Sequence, residues 1–214
     1  MSNQLIYDRL RAAGLTHSGV CGVMGNLMAE SSMIASIAQR GMTKLTDAEY
    51  TDKFDTDPES CYRDGVGYGL AQWTFWSRKA ELFYFANSRG VSVGDEATQV
   101  DFIIHELRAD YPGLFTYLCQ TDDLFEATDR VCREYERPAI NNVSNRYNFA
   151  KVFSDDLAPT EIIPTNTNKW YPPDLSVLVL QALLVGNGYA VEVTGYKDEK
   201  FLAAMREFLA DIGG

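Results

Sequence analysis

The sequence contains little of what metal sites, nucleic-acid surfaces and membrane spans require. Only two of its 214 residues are histidine, and its four cysteines form no Cys-x-x-Cys pair, so a closed zinc site is not expected. Basic residues number 19 against 30 acidic ones, and the net charge of −11 disfavours binding to a phosphate backbone. Apolar runs of about eighteen residues are absent. We therefore expect no metal, no nucleic-acid partner and no membrane insertion.

What is present is typical of a globular protein. Hydrophobic residues make up 46% of the chain and charged residues 23%, which excludes a disordered or fibrous protein. The first fourteen residues, MSNQLIYDRLRAAG, are polar and amphipathic, so no secretory signal is expected and synthesis in a cytoplasm is predicted. In that compartment the cysteines are expected to be buried thiols: Cys21, Cys61, Cys119 and Cys132.

Helical periodicity dominates the first three quarters of the chain and predicts a mainly α fold. A first helix is predicted over 3–13, and Thr16 is expected to cap a second one in which Gly19, Gly22 and Gly25 recur. Glycine is costly inside a helix, so this spacing predicts close backbone packing. Further helices are predicted over 77–88, 95–109, 122–136 and 143–156. The polar segment 42–66 is expected to be a long loop or a small hairpin.

The pattern predicts three regions. A helical domain is expected over residues 1–157, and residues 158–173 hold four of the seven prolines and are interpreted as a linker. Two short amphipathic segments in residues 174–214 predict a small helical module, which forty residues would make marginal in isolation.

Glu30 is the first candidate for chemistry. It is expected near the C-terminal end of the second helix, on the flank of an apolar stripe. The negative end of the helix dipole and partial desolvation both favour a protonated carboxyl there, which a general acid needs. A solvated glutamate at a helix end is the alternative.

The segment Gly67-Tyr68-Gly69-Leu70-Ala71-Gln72-Trp73 is the second candidate. Glycines that flank an aromatic residue permit a tight bend and a close approach of the backbone to a ligand. Gln72 can donate and accept hydrogen bonds, and Trp73 and Trp76 offer flat apolar faces of the kind that sugar rings stack on. A turn followed by core aromatics is the alternative.

Three motifs in order resemble the phage tail lysozyme family: GVMGNLMAES at 22–31, GYGLAQW at 67–73 and YERPA at 135–139 followed by Asn145-Arg146-Tyr147. The first two are also similar to goose-type lysozymes and lytic transglycosylases. The resemblance implies a lysozyme-like fold, cleavage of the peptidoglycan glycan strand, and no cofactor. It implies that Glu30 is the catalytic acid, with glycan contacts from Asn26, Tyr68, Gln72 and Trp73.

The resemblance implies a second carboxylate whose place is less fixed in the family than that of the first. The resemblance to goose-type enzymes favours Asp64, and its competitors in the same region are Asp52, Asp55, Asp57 and Glu59. Glu136 and Arg137 are interpreted as a structural ion pair at a helix end, with Pro138 as the stop signal. Direct participation of this pair in the chemistry is the alternative.

Residues 174–214 resemble the small helical peptidoglycan-binding domain, with a shorter loop and Leu209 in place of the usual glutamine. The sequence as a whole therefore predicts a muramidase of phage type, an endolysin or a tail lysozyme, that cleaves the β-1,4 bond between N-acetylmuramic acid and N-acetylglucosamine. It would reach the wall after holin-mediated release or as part of a virion. A lytic transglycosylase and a non-catalytic wall-binding or structural tail protein are the alternatives.

Overall fold

The structure, a computed structural model, describes residues 3–138 and 142–157 together with Leu184, Ala204 and Phe208. The chain divides into two compact units, Met1–Pro159 and Thr160–Gly214. All the elements below belong to the first unit. The predicted linker over 158–173 and the predicted module over 174–214 lie outside the described residues, apart from the three single residues named above.

The described part of the chain is helical and contains no strand, which confirms the predicted mainly α fold. None of its helices is long and apolar enough to cross a bilayer. The helices are α1 (Asn3–Ala12), α2 (His17–Ser31), α3 (Asp47–Thr56), α4 (Glu59–Tyr62), α5 (Trp76–Asn87), α6 (Glu96–Ala109), α7 (Pro112–Leu118), α8 (Leu124–Arg130), a π-helical turn (Val131–Glu136) and α9 (Val143–Asp156).

Helix α2 lies at the centre of this unit, and its glycines allow other helices to approach closely. A Cβ atom at Gly22 would lie 2.9 Å from Ala127 Cβ of α8. One at Gly25 would lie 2.5 Å from the carbonyl oxygen of Arg146 on α9. These distances are shorter than packing permits, so the predicted close packing of the glycine stripe is confirmed. The approach of α9 at Gly25 also fixes the position of Arg146.

The segment 42–66 differs from the prediction because it holds two helices, α3 and α4, in place of a loop or hairpin. Thr46 and Glu49 form a reciprocal capping box at the start of α3. Only Tyr50 and Phe54 of α3 are buried, one turn apart. Two apolar residues are too few to produce a clear helical period, but the capping box was a readable signal.

A tight turn lies directly after this segment, as the glycines of 67–73 predicted. Tyr68 and Trp73 exchange two backbone hydrogen bonds, of 3.2 and 2.9 Å. Gly69 (φ +75°) and Gln72 (φ 46°) adopt left-handed backbone conformations between them. The buried amide of Gln99 holds the turn in place by accepting from Leu70 N at 2.8 Å.

Helix α8 ends at Arg130, and the chain continues as the π-helical turn up to Glu136, where a single helix over 122–136 was predicted. All four cysteines lie in the described part and form no disulfide; Cys21, Cys61 and Cys132 are buried, as predicted, and Cys119 is half-buried.

Candidate functional site

Glu30 lies in the last turn of α2, with a side chain that is 20% exposed. Its Oε1 accepts a hydrogen bond of 2.6 Å from Nη2 of Arg146 on α9. Helix α2 ends one residue later, and Ser32 (φ 54°) and Met33 (φ 62°) follow in left-handed conformations. Positive φ angles at residues other than glycine are uncommon and collect at functional sites. Glu30 is thus a solvent-accessible carboxylate in a rigidly fixed position.

Asn26, one turn before Glu30, is completely buried. Its Nδ2 donates to the carbonyl oxygens of Gly22 (2.8 Å) and Thr128 (3.0 Å), and its Oδ1 accepts from Arg146 Nη1 at 3.1 Å. The amide is therefore occupied by protein partners. It fixes the guanidinium that holds Glu30, and it presents no surface on which a glycan could bind.

The predicted glycan-binding residues of the turn also point inward. Tyr68 and Trp73 are buried, and the Tyr68 hydroxyl lies 2.7 Å from that of Thr51. Gln72 is half-buried and donates to the carbonyl oxygens of Ile37 and Gly69. These side chains build the turn from within, and of the three only Gln72 is accessible to solvent.

Glu106, which sequence reasoning missed, connects the turn to the rest of the site. Its buried carboxylate accepts from Trp73 Nε1 (2.9 Å), from the Tyr135 hydroxyl (2.6 Å) and from Arg78 in two hydrogen bonds, Nε at 2.6 Å and Nη2 at 2.9 Å. Burial, followed by the charge of Glu106, raises the pKa of Tyr135 well above its ordinary value, so this phenol keeps its proton. The sequence feature that could have identified Glu106 is its position three residues after Ile103, which places a carboxylate within the apolar stripe of α6.

Asp64 lies in a second polar cluster beneath α5. Its Oδ1 accepts from Lys79 Nζ (2.8 Å) and from Val66 N (2.9 Å), and its Oδ2 accepts from the Tyr50 hydroxyl (2.7 Å). Lys79 is fully buried, and that burial lowers its pKa although Asp64 opposes the shift. The carboxylate, 19% exposed, is therefore the counterion of a buried ammonium group.

The other acids predicted for the second carboxylate lie on or beside α3 and α4. Asp55 is half-buried and accepts from Val93 N at 2.8 Å, so it fixes a loop. Three are exposed to solvent: Asp52, Asp57 and Glu59.

Glu136 and Arg137 do not form the expected ion pair. Arg137 is exposed, adopts φ 50°, and its Nε donates to the carbonyl oxygen of Glu134 at 2.8 Å. Glu136 ends the π-helical turn, and its buried Oε1 has no hydrogen-bond partner among the residues that the structure describes. Burial, followed by the charge of Glu30, raises the pKa of Glu136 well above its ordinary value.

Exposed aromatic side chains line an open cavity of about 410 Å³ at the start of α5. Phe75 is 63% exposed and Trp76 is 47% exposed. The guanidinium of Arg63 lies 4.9 Å from the centre of the Trp76 ring. Tyr62, Gly65 and Thr74 complete the lining. The cavity therefore offers the combination of flat apolar faces and polar groups that carbohydrate sites use.

Comparison with known proteins agrees with these motifs. No curated protein matches the chain. A sequence model of the family described as phage tail lysozyme matches residues 2–157, which include Glu30, the turn 67–73, the π-helical turn and Arg146. The chain belongs to the phage tail lysozyme family.

Proposed function

We propose that this cell-wall lytic enzyme of the lysozyme type is a muramidase, which hydrolyses the β-1,4 bond between N-acetylmuramic acid and N-acetylglucosamine. The observation that carries the proposal is Glu30, a partly exposed carboxylate at the end of α2 that a buried arginine holds at 2.6 Å. Such a group is fixed in position yet open to substrate. Both properties are required of a general acid.

In this mechanism Glu30 donates a proton to the glycosidic oxygen as the bond to the sugar carbon breaks. The electron pair of that bond stays with the leaving oxygen, and positive charge develops on the sugar ring. Water then adds to the ring carbon and returns a proton to the site. Asp64 is the proposed second carboxylate, although its hydrogen bonds with Lys79 and Tyr50 also give it a structural task.

We propose that the glycan binds mainly at the cavity at the start of α5. Gln72, which precedes the lining residues in the chain, is proposed as a further contact. Asn26, Tyr68 and Trp73 then have supporting roles without touching the glycan. Asn26 fixes Arg146, and Tyr68 and Trp73 fix the turn. The aromatic surface predicted from the sequence is thus provided by Trp76, with Phe75 next to it.

Replacing Trp76 with Ala is expected to raise the KM for soluble glycan fragments about fivefold to hundredfold, because loss of one ring–ligand contact removes roughly 1–3 kcal/mol of binding. The kcat should change little. Phe125→Ala is the matched control, because Phe125 is 45% exposed but lies on α8, away from the cavity lining. Equal effects of the two substitutions would remove the cavity from the glycan path.

A lytic transglycosylase is the second candidate, and the contacts of Asp64 favour it. If Asp64 is only the counterion of Lys79, a single glutamate is left to carry out the chemistry. A lytic transglycosylase works in this way, because its reaction uses one glutamate and no water. Mass spectrometry of digested peptidoglycan separates the two reactions. Hydrolysis is expected to give reducing ends that carry one added water, whereas 1,6-anhydro sugars would contradict the muramidase proposal.

The remaining proposals rest on sequence. We propose that residues 174–214 tether the enzyme to the wall, which would raise its local concentration without changing its chemistry. Holin-mediated release and transport within a virion are both compatible with the family. A non-catalytic tail protein would fail to clear purified cell walls.

A further inference from the structure

The buried carboxylate of Glu106 is the centre of a hydrogen-bond cluster to which the proposed mechanism gives no role. Its side chain is 1% exposed. Its Oε1 accepts from Arg78 Nε at 2.6 Å, and its Oε2 accepts from Arg78 Nη2 and Trp73 Nε1, both at 2.9 Å, and from the Tyr135 hydroxyl at 2.6 Å. Because every partner donates, an ionised carboxylate, which only accepts, satisfies all of them together.

Two of these partners bracket the segment that forms one side of the cavity at the start of α5. Trp73 and Arg78 are five positions apart in the chain, and residues 74–76 between them line the cavity. All three of these lining residues are exposed, whereas Trp73 and Glu106 are buried. Glu106 therefore holds both ends of a short segment whose middle faces solvent.

The local sequence does little to fix the start of α5. Phe75 occupies the cap position and makes no side-chain hydrogen bond to the helix. The first turn carries Arg78 and Lys79, although the positive end of a helix dipole disfavours cations there. Glu106 neutralises the first of these cations and ties this turn to α6. The position of the first turn, which faces the cavity, thus depends on a contact between distant segments.

We propose that Glu106 is a positioning residue for glycan binding, which acts through Trp76. By holding Trp73 and Arg78 it fixes the segment between them, so that the exposed ring of Trp76 keeps the orientation in which a sugar can stack on it. A ring that is fixed in advance loses less conformational entropy when the ligand binds, and this raises affinity. The inference rests on the proposed function, in which the cavity binds the glycan.

Glu106→Gln is expected to raise the KM for soluble glycan fragments about threefold to tenfold, less than Trp76→Ala does, and to change kcat little. In either orientation of the new amide, its amino group faces a donor of Arg78, so the contact that fixes α5 is lost. Asp101→Asn is the matched control and should leave KM unchanged. Asp101 also lies on α6, is 7% exposed and binds Arg9 at 2.7 Å. Assays well below each melting temperature exclude a contribution from unfolded protein.

A double-mutant cycle distinguishes positioning from a general structural role. In the Trp76→Ala background, Glu106→Gln should raise the KM by less than about twofold, because the ring through which it acts is gone. Equal effects in both backgrounds, or an unchanged KM in the single variant, would overturn the proposal. If Glu106→Gln does not fold, Trp73→Phe takes its place, because it removes only the N–H group that Glu106 accepts. An unchanged KM in that variant would overturn the proposal as well.

A measurement without substrate separates this proposal from the proposed function. The sequence contains three tryptophans, so ¹⁵N-labelled protein gives three indole N–H signals, and Trp76→Ala identifies the one that belongs to Trp76. The heteronuclear NOE of this signal, which reports ps–ns motion, should fall in Glu106→Gln and stay unchanged in Asp101→Asn. An unchanged NOE in Glu106→Gln would overturn the positioning role alone. If Trp76→Ala leaves KM unchanged, the proposed glycan surface fails, and the role of Glu106 in binding fails with it.

Discussion

Replacing Glu30 with Gln is expected to lower the rate of cell-wall lysis roughly 10²- to 10⁴-fold, the usual contribution of a positioned general acid. Glutamine keeps the size of the side chain and an oxygen that can accept from Arg146, but it carries no transferable proton. The decrease should appear in kcat, because proton donation acts in the transition state and not in substrate binding. Clearing of purified walls, followed by turbidity, measures the rate.

The control for this substitution is Glu126→Gln. The side chain of Glu126 on α8 is 42% exposed, and within the described part of the chain its one ion pair is a 3.5 Å contact with Arg133, so the loss of one negative charge there should leave lysis unchanged. Circular dichroism and melting temperature would show that both variants are folded. A loss of less than tenfold in folded Glu30→Gln would contradict the assignment of Glu30 as the acid.

Asp64→Asn is expected to have the largest effect on stability, a decrease of roughly 3 kcal/mol in the free energy of unfolding. Removing one partner of a buried ion pair typically costs about 3–5 kcal/mol, and water that reaches the partly exposed Asp64 position places the effect near the lower end. The ammonium of Lys79, which is fully buried, would lose its charged partner and keep only neutral acceptors: the amide oxygen at position 64, the Tyr50 hydroxyl and the Val66 carbonyl. Denaturant unfolding at neutral pH measures the change.

A second substitution separates the structural role of Asp64 from a catalytic one. Lys79→Met removes the buried charge, so the pair Asp64→Asn and Lys79→Met together should be more stable than Asp64→Asn alone. If Asp64 also takes part in catalysis, the double variant should regain stability but not activity. Recovery of both would assign Asp64 to the fold alone, and chemistry would then rest on Glu30.

Several features of the fold could be read from local sequence, because local interactions produce them. The apolar period of α5, α6 and α9 placed these helices. The glycine stripe of α2 indicated close packing, because a side chain at Gly22 or Gly25 would clash with Ala127 or Arg146. Glu30 could be proposed as the acid because its position at a helix end and its motif are both local.

Elements with few apolar residues were harder to predict from the sequence. Helix α3 buries only Tyr50 and Phe54 and depends on its capping box, so its polar composition was taken for a loop. The aromatic residues of 67–76 were recognised, but the sequence could not tell which faced solvent. Trp73 is buried and donates to Glu106 on α6, a contact between segments distant in the chain, whereas Trp76 is 47% exposed.

The sequence by itself determined the helical class, the family motifs and the candidate acid, all of which depend on residues near one another in the chain. Only the tertiary structure decided how charges pair. Arg146 reaches Glu30 across 116 residues, and Asp64 serves a lysine that no pattern connected with it. The π-helical turn that ends at Glu136 packs against α2, which no sequence pattern predicted. Burial and the distance between charges set the protonation of a carboxyl, and both exist only after the chain has folded.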